Sequence, residues 1–127
     1  MENEMKKVLI VDDHEDIRRM IGLTLMGNYQ ILEASNAVSA EKLVRHEKPD
    51  VVVLDVMMPG EINGYDLCEI IKKDADLKEI WVILVTARGQ EADLQKGAEV
   101  GADSYYVKPF SPLALVRDIQ EHCQPEI

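Results

Sequence analysis

Five apolar runs of strand length punctuate the chain: VLIV (8–11), YQILEA (29–34), VVVL (51–54), WVILV (81–85) and SYYV (104–107). Between them apolar side chains recur at helical spacing: Ile17, Met20, Ile21 and Leu25; then Ala40, Leu43 and Val44; then Leu67, Ile70 and Ile71. The fourth interval, around 92–100, is sparser, with Leu94 and Ala98 as its clearest pair. In the last, Ser111 can cap a helix, Pro112 suits its first turn, and Leu113, Val116 and Ile119 share a face. Strict alternation favours parallel strands, because a parallel connection needs a crossover and the crossover helix covers the sheet. The pattern predicts the α/β class: a (βα)5 doubly wound open parallel five-stranded sheet with helices on both faces.

Length and charge narrow this picture. A chain of 127 residues matches the commonest size of one domain with one substantial core. The whole of 1–127 is therefore read as a single domain, with about 1–6 and 124–127 expected to fray. Fourteen basic against 24 acidic residues give a net charge of −10, which opposes attraction to a phosphate backbone, so no direct nucleic-acid binding by this segment is expected. Cys68 and Cys123 form no CxxC or Cys/His ligand pattern and read as reduced thiols. No apolar run is long enough to span a bilayer, and MENEMKK lacks a signal peptide's apolar core. A soluble, cytoplasmic location is the expectation.

VVVLDVMMPG ends a doubly buried strand pattern on Asp55, an odd place for a charge unless the carboxylate only opens a loop. In open parallel sheets ligands bind beyond the carboxyl ends of the strands. Those ends carry Asp12 and Asp13 after the first strand, Asp55 after the third, Thr86 after the fourth and Lys108 after the fifth. Each alone is ordinary: acids are common in loops, Thr suits strands, and a Lys before Pro is usually a solvated charge. Together they crowd three carboxylates against one ammonium. Mg2+, which takes oxygen ligands, keeps waters and pairs with phosphate oxygens, fits that set better than zinc. An aspartate carboxylate can also attack phosphorus to give an aspartyl phosphate.

VLIVDDHED, VVVLDVMMPG, ILVTA and GADSYYVKPF, in this order, closely resemble the receiver domain of bacterial two-component response regulators, a chemotaxis-type, flavodoxin-like family. The resemblance spans nearly the whole chain and implies strand order 2-1-3-4-5. It implies that Asp55 accepts a phosphoryl group from a phosphohistidine on a sensor histidine kinase or histidine phosphotransfer protein. Asp13 and Asp55 would bind Mg2+ directly, with the backbone carbonyl of Met57 as a third ligand and Asp12 acting through water. Thr86 and Lys108 would contact the phosphoryl oxygens. It also implies a switch in which Thr86 moves toward the phosphoryl group and Tyr105 turns inward. Tyr106 should face the other way, since side chains alternate along a strand. Lys108-Pro109 is expected to be cis, against a base rate of about 5% for X-Pro bonds. The output would pass through the fourth helix, fifth strand and fifth helix to a downstream domain or protein, with a phosphorylation-dependent homodimer as a further option.

The chain departs from the family pattern in the loop after Asp55, where Gly64 stands five positions beyond Pro59 instead of four. Met57 puts an apolar side chain where the family tunes phosphoryl lifetime. His14 reads as a solvent-facing helix start rather than a metal ligand, and His46 and His122 as surface. Of Met20, Met26, Met57 and Met58, most are expected to pack. Two rival functions remain: an aspartyl-phosphate phosphatase, which needs a second acid two residues after its nucleophile where VDDHED has adjacent acids, and a pseudo-receiver scaffold that is not phosphorylated. Retention of all five polar positions argues against the scaffold. The leading reading is a signalling module and not a turnover enzyme.

Overall fold

A computed structural model describes residues 5–87 and 90–124. Among these, strands and helices alternate throughout: β1 (Lys7–Val11), α1 (Glu15–Leu25), β2 (Gln30–Ala34), α2 (Ala37–Glu47), β3 (Val51–Asp55), α3 (Gly64–Lys73), β4 (Trp81–Thr86), α4 (Glu91–Glu99), β5 (Ser104–Val107) and α5 (Pro112–His122). The strands form one parallel sheet in the order β2-β1-β3-β4-β5. The expected class and order are both met. Most of the ends expected to fray, 1–4 and 125–127, lie outside the described residues.

Alternating side chains of the central strands feed two cores, as strand geometry requires. Leu9, Val11, Val52, Leu54, Val82 and Leu84 pack beneath α2 and α3. Val8, Ile10, Val51, Val53, Ile83 and Val85 pack beneath α1 and α5. Every residue of β3 is buried, and each such aliphatic side chain contributes about 1.5–3 kcal/mol relative to exposure. That drive keeps the strand central and carries Asp55, its last residue, to the rim. No described helix is long and apolar enough to cross a membrane.

Local signals set the helix starts. Asn63 and Asp66 form a reciprocal capping box on α3, and Ser111 Oγ accepts from Ala114 N at 3.3 Å with Pro112 in the first turn of α5. The sparse fourth interval is a helix of nine residues. Tyr29, placed in a strand by its apolar neighbours, lies just before β2; it is buried among the α1 and α5 side chains and its hydroxyl donates to the Cys123 carbonyl at 2.6 Å. The expectation for the methionines fails. Met58 is buried, but Met20, Met26 and Met57 are exposed, because the i, i+3/i+4 spacing of Met20 places it at the margin of the apolar stripe and Met26 and Met57 lie in loops.

Candidate functional site

The carboxyl ends of β1, β3, β4 and β5 meet at one rim of the sheet. Asp12 follows β1 and is held there by its N–H on the Ala34 carbonyl at 3.2 Å. Asp55 closes β3, Thr86 closes β4, and Lys108 follows β5 with its N–H on the Thr86 carbonyl at 2.7 Å. Asp12, Asp55 and Thr86 are each at most 3% exposed, a rare state for carboxylates without compensation.

Compensation comes from Lys108, whose Nζ lies 3.3 Å from Asp12 Oδ2 and 3.8 Å from Asp55 Oδ2. On the other oxygen, Asp55 Oδ1 accepts from Met57 N at 3.2 Å. One ammonium is not enough. Burial, together with the charge of Asp12, pushes the Asp55 carboxyl up to about 6, against the opposing pull of Lys108. The Lys108-Pro109 bond is cis, as expected.

Asp13 is exposed, and its carboxylate completes a cluster in which ligand atoms of Asp12, Asp13, His14 and Asp55 all lie within 4.8 Å of one another. Three hard oxygen donors around one point, carrying more negative charge than Lys108 offsets, fit a hard divalent cation. His14 does begin α1 on its exposed side, but it also faces the acids: Nδ1 is 2.9 Å from Asp12 Oδ1 and 3.1 Å from Asp13 Oδ1, and its N–H donates to Asp12 Oδ1 at 2.8 Å. Hydrogen bonding to Asp12, then the charge of Asp13, raises the imidazole above its usual value. Sequence reasoning missed Arg18. Its Nη1 donates to the Asp12 carbonyl at 2.6 Å while Nε pairs with Glu33 at 2.9 Å, so a guanidinium anchors the acidic loop from behind.

Tyr105 and Tyr106 point to opposite faces of β5. Tyr105, half-buried, packs with the core beneath α2 and α3. Tyr106 packs with the other core and donates to Asp118 Oδ2 at 2.8 Å. Asp118 also accepts from Trp81 Nε1 at 3.2 Å, and the His122 ring stacks on Trp81 with centroids 3.9 Å apart. His122 is thus a packing group as well as a surface residue, whereas His46 is plainly exposed.

Comparison with known proteins agrees with this arrangement. The family model described as response regulator receiver domain matches residues 8–120. Among curated proteins, the chain is 45% identical over 117 residues to the probable transcriptional regulator ycf27 of Porphyra purpurea, covering 91% of this chain and 46% of that one. It is 45% identical over 112 residues to the phosphate regulon transcriptional regulatory protein PhoB of Pseudomonas aeruginosa, covering 87% and 48%. The chain therefore spans about half the length of the curated relatives it matches. Among solved structures, the BeF3-activated receiver domain of DrrB, from Thermotoga maritima, superposes with a TM-score of 0.83 at 34% identity, covering 93% of this chain and 97% of that chain.

Proposed function

Because the chain belongs to the response regulator receiver domain family, we propose that Asp55 is its phosphoacceptor and that the rim around it carries out the transfer. The observation that carries this reading is the burial of the Asp55 carboxylate between a second acid and the ammonium of Lys108. An oxygen of Asp55 attacks the phosphorus of a phosphohistidine; the new O–P bond forms as the P–N bond breaks, and the imidazole leaves. Lys108 Nζ and the Thr86 hydroxyl meet the phosphoryl oxygens as charge builds on them. Asp12, Asp13, Asp55 and the Met57 carbonyl would hold Mg2+, which supplies charge neutralisation for the phosphoryl group. His14 stays with the carboxylates as an orienting partner, since an imidazole is a poor ligand for so hard an ion.

The phosphoryl group then biases a two-state equilibrium through Thr86 and Tyr105. The module signals and does not turn over substrate. A sensor histidine kinase or histidine phosphotransfer protein supplies the phosphoryl group, and a downstream domain or protein reads the α4-β5-α5 face, with homodimerisation as one form of that reading. The net charge of −10 keeps this segment off nucleic acid. The likeness to the BeF3-activated receiver domain of DrrB supports the same chemistry here.

Incubation with acetyl phosphate and Mg2+, followed by intact-mass measurement, tests the assignment. One phosphoryl adduct that is lost in Asp55→Asn and in EDTA is expected. An adduct that survives Asp55→Asn would overturn it.

A further inference from the structure

The geometry points to Tyr65 as a positioning residue that links the phosphoacceptor backbone to the α4-β5 surface by a route independent of Thr86. This deepens the receiver reading and rests on it. The route begins at Gly64, the first residue of α3, whose N–H donates to the Val56 carbonyl at 3.1 Å. A Cβ at Gly64 would lie 2.4 Å from the Asp55 carbonyl oxygen and 2.7 Å from Val56 Cα. The start of α3 is therefore in direct contact with the main chain of Asp55 and cannot shift independently of it.

The next residue is Tyr65. Its hydroxyl lies 3.1 Å from the backbone carbonyl of Asp93, in the first turn of α4, and 3.0 Å from the hydroxyl of Tyr105 on β5. The carbonyl can only accept, so the Tyr65 proton goes to Asp93 and the Tyr105 hydroxyl donates to Tyr65. The Tyr105 ring meanwhile lies against α4, where a Cβ at Gly97 would come within 2.6 Å of Tyr105 Cδ2 and 2.7 Å of Cε2. One hydroxyl thus joins α3, α4 and β5, and it does so on the residue adjoining the contact with Asp55. A displacement of the Asp55–Val56 main chain on phosphorylation reaches α4 and Tyr105 through this link without passing through β4.

Tyr65→Phe keeps the ring and removes the bonds to Asp93 and Tyr105, whereas Tyr105→Phe removes the bond to Tyr65 and leaves the one to Asp93. Hydrogen exchange of the full chain, read over 91–99 and 104–107 with and without acetyl phosphate and Mg2+, tests the link, with adduct formation followed by mass in parallel. In the unphosphorylated protein, Tyr65→Phe is expected to speed exchange over α4 by about fivefold, the equivalent of one net hydrogen bond, and Tyr105→Phe to speed it less. In the phosphorylated protein, the change in α4 and β5 exchange seen for the parent should fall by at least half in Tyr65→Phe, although Asp55 is labelled within twofold of the parent rate. Exchange over α4 and β5 that matches the parent in both states overturns the role of Tyr65. A uniform rise across all helices, rather than one confined to α4 and β5, also overturns it, because that is general destabilisation. If the parent takes no phosphoryl group, the receiver reading fails on its own, and the unphosphorylated comparison still decides whether Tyr65 holds α4.

Discussion

The Asp55 carboxyl carries the most informative energetics of any single group. In the folded chain it is pushed up to about 6, above its ordinary 3.8, so folding favours its protonated form. Its contribution to stability is therefore fully present below about pH 4 and is lost as pH rises through about 6. At neutral pH without metal, the ionised carboxylate works against the fold. Asp55→Asn keeps an acceptor for the Met57 N–H and removes the charge. It is expected to be more stable than the parent by roughly 3 kcal/mol at pH 7.5 in EDTA, the worth of a shift of this size, with the gap closing near pH 4. Urea unfolding at the two pH values checks it; an Asn variant no more stable at pH 7.5 would mean that Lys108 already neutralises the site.

At the scale of elements, the junction of β3 and α3 is a tight joint beside the site. Gly64 has no room for a side chain, and Gly64→Ala is expected to cost about 1–3 kcal/mol by overpacking and to slow acetyl-phosphate labelling by displacing the Asp55 main chain. Denaturant midpoints and labelling rates measure both. Much of this level was legible beforehand. Four-residue apolar runs, Ser111 and Pro112 before an amphipathic segment, and the acids, Thr and Lys after the strands are local signals, and each appears where its local physics puts it. The extra position between Pro59 and Gly64 was legible only as a count. That Asn63, the residue before α3, caps it reciprocally with Asp66 is a matter of backbone direction. Helical spacing identifies a face, but Met20 lies at its margin, and Met26 and Met57 belong to no helix.

For the molecule as a whole, a net charge of −10 and a rim of unbalanced carboxylates predict strong stabilisation by Mg2+, since an ion that binds the folded state alone stabilises it by mass action. Ten millimolar Mg2+ is expected to raise the melting temperature by several degrees, on the order of 1 kcal/mol for a domain of this size. Asp13→Asn should lose most of that rise. NaCl of equal ionic strength serves as the control, because screening of surface repulsion alone also stabilises an acidic chain. An equal rise in NaCl would remove the metal from the explanation. The sequence by itself determined the α/β class, the strand and helix count and the chemical types at the rim, because periodicity and capping act within a few residues. Only the tertiary structure decided that Lys108 lies against Asp12, that His14 faces both acids of the loop, that Arg18 holds the Asp12 carbonyl and that Tyr65 meets Tyr105 and Asp93. Those pairings join elements far apart in the chain or depend on rotamer and backbone direction, and packing in three dimensions selects them.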